Sequence, residues 1–393
     1  MSAHFDNIVA WLIATNADHR DLRTLTGRLI PRLGEAGVPV HRFNLGVFAV
    51  HPEMAGYAVV WDHDMVEPQE VPIWREDTLK PLYLDSPIRL LVEKRMPVRF
   101  DLEDPEAGKE FPVLDEFREK GFTTYLGFPI PYGDDGIAVL TLCTKSAGGY
   151  MPEEIEGIES LFPVLSLLIS VVESRRLAKT VLRTYLGRNI GERVLAGEIL
   201  RGQGESIQAA LWQCDLRGFT ALTSKLGSLP MIAVMNQYFD CMAEAVWAEN
   251  GEILKFMGDA MLVVFRIGGE ISASEATQRA VRAAEDAIRR LGELSDARVT
   301  KGLSPLKAGV AVHLGAVVYG NIGASSRLDF TVMGSAVNLV SRIQNLQGEL
   351  GEEILYTQEI AEHLSEPSVR IGSYTLKGVS GQVEVFKQQA QTG

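Results

Sequence analysis

Three short apolar runs that stop at, or turn around, an aspartate near a glycine constrain this chain more than any other feature. Ala209-Ala210-Leu211-Trp212-Gln213-Cys214 leads into Asp215-Leu216-Arg217-Gly218-Phe219-Thr220. Further along, Ile253-Leu254-Lys255-Phe256 and Met261-Leu262-Val263-Val264-Phe265 flank Met257-Gly258-Asp259-Ala260, the pattern of a hairpin with its tip at Gly258-Asp259. Two carboxylates at strand ends, each close to a glycine where backbone approaches a ligand, form a hard-cation site if the fold brings them together. Paired metals in such a site bind the phosphates of a nucleotide. Asp215 and Asp259 are therefore candidate metal ligands. Taken singly, each has a plainer reading: Asp215 caps the following helix and Asp259 supplies turn chemistry. The rest of the constellation tips the balance.

Composition sets the frame for that site. The chain has 393 residues, 46% hydrophobic and 23% charged, enough for two or three globular domains. Its formal net charge of -13 argues against a general nucleic-acid binder, which needs a basic face. Cys143, Cys214 and Cys241 are too few and too scattered for a disulfide framework or a thiolate metal site, which fits a reducing compartment. No basic segment followed by an apolar run opens the chain, and no uninterrupted apolar stretch of about 18 residues occurs. A soluble, cytoplasmic protein with no membrane partner is expected.

In the first half, Phe5, Ile8, Trp11 and Leu12 recur at helical spacing, as do Leu22, Leu25, Leu29 and Leu33, with Pro31 placed to bend or shorten the second helix. Residues 42–50 and 56–61 read as strands joined at His51-Pro52-Glu53, residues 87–93 as a helix, and 123–131 with 137–144 as a hairpin around Tyr132-Gly133-Asp134-Asp135-Gly136. This order is that of a compact α+β domain. It resembles a GAF domain over residues 1–151, above all in Tyr125-Leu126-Gly127-Phe128-Pro129-Ile130 followed by Gly136-Ile137-Ala138-Val139-Leu140-Thr141-Leu142. The resemblance implies a small-ligand or signal-relaying sensor whose ligand is unknown. The histidines of this half, His4, His19, His41, His51 and His63, lack ligand spacing.

From 152 to 205 the pattern is a helical connector. Ile158, Leu161, Leu165, Leu168 and Val172 alternate three and four apart, the spacing either of a coiled-coil seam between two copies or of a packed terminal helix interrupted near Pro163. Beyond it, Ser228 and Pro230 open a helix, 276–291 and 336–346 read as helices, and 307–312, 316–319, 354–357, 370–376 and 384–387 as strands. A β-α-β-β-α-β (ferredoxin-like) arrangement with additions is the economical fold. Asn338 and Arg342 lie one turn apart on one helix face, suited to orient a polar oxygen and clamp a phosphate, although such a pair is often only a solvated surface. Lys377 closes a strand beside Gly378.

These stretches together resemble the catalytic domain of class III nucleotide cyclases over residues 206–388. The matching segments are Asp215-Leu-Arg-Gly-Phe-Thr, Glu252-Ile-Leu-Lys-Phe-Met-Gly-Asp, Gly320-Asn-Ile-Gly, Phe330-Thr-Val-Met-Gly, Val337-Asn-Leu-Val-Ser-Arg342 and Leu376-Lys-Gly, in family order. The resemblance implies that Asp215, Asp259 and the Leu216 carbonyl hold two Mg²⁺ or Mn²⁺ ions. It places Lys255 and Thr331 where the purine is read, Asn338 and Arg342 at the ribose and the transition state, and Lys377 at the terminal phosphates. It also implies a homodimer, with the aspartates of one chain facing the other residues of its partner. A lysine ammonium only donates hydrogen bonds, which matches adenine N1 and opposes guanine N1-H, so ATP is the expected substrate and cyclic AMP the product. Thr331 stands where many adenylate cyclases have aspartate; the threonine-bearing subclass is adenylate-specific and often responds to bicarbonate. Gln213 and Ser335 depart from the apolar and acidic residues usual at their positions. Guanylate cyclase, a non-catalytic nucleotide-binding signalling module and a metal phosphohydrolase are the competing readings, the last opposed by the lack of a histidine-rich cluster.

Overall fold

A computed structural model describes residues 2–14, 21–48, 54–198, 200, 202 and 204–389. His19 and the proposed turn at His51-Pro52-Glu53 lie outside them. The chain divides into two compact units, Met1–Val181 and Leu182–Gly393.

The first unit runs α1 (Ser2–Ala14), α2 (Leu22–Glu35), β1 (Arg42–Phe48), β2 (Met54–Asp62), β3 (Gln69–Trp74), α3 (Pro81–Leu84), α4 (Pro87–Glu93), β4 (Val98–Asp101), α5 (Val113–Glu119), β5 (Thr124–Tyr132), β6 (Gly136–Thr144), α6 (Pro152–Ser160) and most of α7 (Phe162–Leu186), whose last residues fall in the second unit. Its sheet has the order β3-β2-β1-β6-β5-β4, antiparallel throughout. Asp21 caps α2 by accepting from the Thr24 amide at 2.7 Å, and that helix continues through Pro31. The expected hairpin is β5–β6, whose register pairs Tyr132 with Gly136.

The apolar seam at 158–172 is spent within this unit. Ile158, Leu161, Leu165, Leu168 and Val172 are all buried with Leu12, Leu29, Val47 and Leu140. The periodicity therefore marks a packed helix face rather than a two-copy seam, and α6 ends just before Pro163, which sits in the first turn of α7. Within residues 152–186 an 18-residue window has the mean hydropathy (1.8) of a membrane span, but the inward face of this stretch belongs to the core.

The second unit comprises α8 (Arg188–Leu195), β7 (Gly204–Leu216), α9 (Phe219–Leu226), α10 (Ser228–Ala248), β8 (Glu252–Met257), β9 (Ala260–Ile267), α11 (Ala273–Thr300), β10 (Ala308–Ala324), β11 (Arg327–Met333), α12 (Ser335–Leu350), β12 (Ile354–Thr357), α13 (Gln358–Ala361), β13 (Ser368–Thr375) and β14 (Gln382–Gln388). The sheet order is β13-β14-β12-β10-β7-β9-β8, with β11 paired to β10. Strand β7 is central, and its alternating side chains feed two cores. Ala210, Trp212 and Cys214 pack with Tyr238 of α10 and Ala284 of α11, while Ala209 and Leu211 pack on the opposite face with Val340 and Ile343 of α12.

One expectation is corrected. Residues 307–319 do not form two strands; β10 is continuous from Ala308 to Ala324. His313, the polar break in the pattern, is buried and hydrogen-bonded to Thr357 Oγ1 at 2.9 Å, and Gly315 lies against Ala336 with no room for a Cβ. The interruption is a packing device, not a turn.

Because the seam belongs to the core of the first unit, Leu168→Ala should lower that unit's stability by about 2–5 kcal/mol in chemical denaturation and leave the oligomeric state unchanged. Dissociation of an oligomer without loss of stability would return the seam to an interface between copies.

Candidate active site

Strand β7 carries Gln213 and Asp215 on the face that α12 covers, and pairs Cys214 with Met261 on β9. That register sets the end of β7 beside the β8–β9 turn. Gly258 makes the turn possible with φ +67, and Asp259 follows it. The carboxyl of Asp215 meets that of Asp259. Burial, and then hydrogen bonding and charge repulsion from Asp259, push Asp215 up to about 7. The sequence-based pairing of the two aspartates is thus met in space. Two hard oxygen donors that oppose each other's ionisation are a site a divalent cation fits, because the cation supplies the charge their proximity demands. Leu216, the third proposed contributor, is the last residue of β7.

Arg217 contributes differently from its neighbours. Its guanidinium donates to the main-chain carbonyls of Gly351 (3.3 Å) and Glu352, fastening the end of β7 to the C-terminal end of α12. Gln213, an apolar position in the family pattern, accepts from Ser341 Oγ at 2.9 Å. The neighbour of Arg342 is therefore tied to the strand that carries Asp215. Gln344 donates to the Gly309 carbonyl at 3.2 Å, and Gly309, opposite Asp215 on β10, has no room for a side chain under Gln347. Helix α12 is held close to the sheet by these polar contacts as well as by its apolar face. Asn338 is exposed and Arg342 half-buried; among the described residues neither side chain makes a hydrogen bond or ion pair, and that of Lys377 in the turn after β13 makes none either.

Lys255 on β8 extends to Asp329 on β11, with Nζ–Oδ2 at 3.4 Å. Thr331, two residues further along β11, is buried, and among the described residues its hydroxyl has no partner. Lys255 and Asp329 line a cavity of about 930 Å³ with Tyr185, Arg188, Trp247 and Phe256. Asp329, Ser341 and Arg217 were not singled out by sequence reasoning. The period-two pattern of β11 gives Asp329 away, since it puts residues 329 and 331 on one face. Nothing local marks Ser341 or Arg217, whose partners lie more than a hundred residues distant.

Residues 205–389 match the family model described as the adenylate and guanylate cyclase catalytic domain. An adenylate cyclase of Anabaena cylindrica is 33% identical over 186 residues, covering 45% of this chain and 36% of that protein. Adenylate cyclase 1 of Rhizobium meliloti is 26% identical over 176 residues, covering 44% of this chain and 26% of its own length. The chain thus spans only about a third and a quarter of these relatives. A bacterial light-regulated adenylyl cyclase of known structure aligns with a TM-score of 0.50 and 16% identity, covering 88% of this chain and 93% of its own, a likeness of fold alone.

The raised Asp215 fixes the sign of a pH effect. Between about pH 4, the ordinary aspartate value, and about 7 the folded, metal-free protein binds more protons than the unfolded chain. Its stability therefore falls as pH rises through that window. Thermal unfolding should show Mn²⁺ raising the midpoint more at pH 8 than at pH 5, and Asp215→Asn should abolish that difference. A midpoint indifferent to Mn²⁺ at pH 8 would count against a metal site here.

Proposed function

We propose, from the premise that residues 205–389 are an adenylate and guanylate cyclase catalytic domain, that this protein converts ATP to 3′,5′-cyclic AMP and pyrophosphate. The observation that carries the proposal is the Asp215–Asp259 carboxyl pair. These residues, with the Leu216 carbonyl, would hold two Mg²⁺ or Mn²⁺ ions, which when bound acidify a coordinated hydroxyl and neutralise phosphoryl charge. In the reaction the ribose 3′-oxygen loses its proton and bonds to the α-phosphorus, while the bond from that phosphorus to the pyrophosphate oxygen breaks. Asn338 orients the ribose. Arg342 donates to oxygens whose charge grows in the transition state, where a fixed donor counts most. Lys377 meets the terminal phosphates. Lys255 donates to adenine N1, and the unpartnered Thr331 hydroxyl accepts from the adenine amino group.

Among the described residues the side chains of Asn338, Arg342 and Lys377 have no partner, which supports a homodimer whose aspartates face the partner's α12 at two equivalent sites. The central strand order β10-β7-β9-β8 supports a ferredoxin-like core. The antiparallel six-stranded sheet of the first unit supports a GAF-like sensor. Its cavity of about 780 Å³ is bordered by Tyr57, Tyr132, Glu173 and Arg176 and suits a small ligand. Glu173 is buried on α7, accepts from the Tyr57 hydroxyl, and is held above the usual carboxylate range by its burial. The helical connector is the part of the chain through which a sensor would regulate the cyclase.

Purified protein supplied with ATP or GTP, with Mg²⁺ or Mn²⁺, should yield cyclic AMP in large preference to cyclic GMP. Asp259→Ala should abolish the product, and Arg342→Ala should lower kcat by about a hundredfold to a thousandfold. Undiminished product from Asp259→Ala would refute the site.

A further inference from the structure

A purine is selected only if the donors and acceptors that meet it are held still. Lys255 is a point charge on a flexible four-carbon stem, so its preference for an acceptor such as adenine N1 depends on what fixes the ammonium. Among the described residues its polar partner is Asp329, at 3.4 Å. Asp329 pairs with Ile322 on β10, and Thr331 with Gly320, so both project from the same face of β11. Their surroundings differ. Thr331 is 6% exposed with an unengaged hydroxyl, whereas the Asp329 side chain is 60% exposed and its carboxylate carries the only formal charge of the two.

We propose that Asp329 is a specificity-positioning residue for the base, acting through Lys255. This rests on the cyclase reading and deepens it. With Asp329 present, the ammonium is steered to one side of the cavity it lines and offers its remaining protons to a ring acceptor. The pairing also engages the carboxylate. Free of Lys255, that carboxylate would accept from guanine, whose N1-H and exocyclic amino group are adjacent donors suited to a bidentate acceptor. The ion pair therefore favours adenine twice, by aiming a donor at N1 and by withdrawing an acceptor from guanine. Discrimination arises as much from the contact withheld as from the contact made. Thr331 supplies the remaining acceptor, for the adenine amino group.

An exposed ion pair contributes modestly, so the effect is small and directional. In the full-length protein, Asp329→Asn should raise KM for ATP about twofold to fivefold, leave kcat within about twofold, and lower the ATP-to-GTP ratio of kcat/KM by a similar factor. Lys255→Ala should lower that ratio further, by freeing Asp329 as an acceptor, and adding Asp329→Asn to it should reduce GTP use again. Equilibrium binding of 3′-deoxy-ATP and 3′-deoxy-GTP, which lack the attacking oxygen, reads the same preference without turnover. If the wild type prefers 3′-deoxy-ATP but cyclises neither nucleotide, the cyclase reading fails, and the binding ratio of Asp329→Asn alone decides this inference. A ratio unchanged by Asp329→Asn in both assays overturns it. So does a loss of kcat with the ratio intact, or a wild type that binds both analogues equally.

Discussion

Asp215 and Asp259 repel each other, and the sheet holds them together regardless. Strand β7 is hydrogen-bonded on both sides, to β10 and to β9, and its inner face is closed by Tyr238, whose hydroxyl meets Cys214 Sγ at 3.1 Å. The β8–β9 turn cannot relax away without breaking the ladder that pairs Met261 with Cys214 and Leu262 with Gln213. The repulsion appears instead as a proton affinity, with Asp215 pushed up to about 7 by burial and by its neighbour. Like charges held this close would be relieved by a bound cation, which is what the proposed metal site requires.

The cationic and amide groups obey the opposite rule. Helix α12 is fastened to the sheet along one side by Val340 and Ile343 in the core, Ser341 on Gln213, Gln344 on the Gly309 carbonyl, and Arg217 across its C-terminal end. On its other side the Asn338 and Arg342 side chains have no partner among the described residues. Oriented donors without partners act on charge that arrives or develops, at little cost of reorganisation. Gln213 shows how a departure from the usual pattern is absorbed. A buried amide replaces apolar packing with a hydrogen bond between the strand of Asp215 and the helix of Arg342.

Much of this was legible in the sequence wherever local chemistry and tertiary structure agree. Proline and the apolar run placed α4 at Pro87–Glu93, and Gly258-Asp259 placed the β8–β9 hairpin because apolar residues flank a turn pair. Illegibility has equally local causes. Strand β3 contains Pro72 and is largely exposed, so it lacks the alternation of a half-buried strand. Strand β10 looked broken because His313 and Gly315 are polar or small for packing reasons invisible in one dimension. The three-and-four spacing at Ile158–Val172 specifies an apolar face but not what covers it; here the same unit does. Asp329 resembles any exposed acidic residue until β8 brings Lys255 across 74 positions of sequence.

The sharing of one site between two chains is tested most directly by mixing Asp259→Ala and Arg342→Ala proteins, each with about a hundredth or less of wild-type activity alone. If the aspartates of one chain face the Arg342 of its partner, a mixed dimer has one wholly intact site, and random re-association restores about a quarter of wild-type activity. No recovery from a mixture in which mixed dimers are verified would mean that each chain holds a complete site of its own, contradicting the shared arrangement.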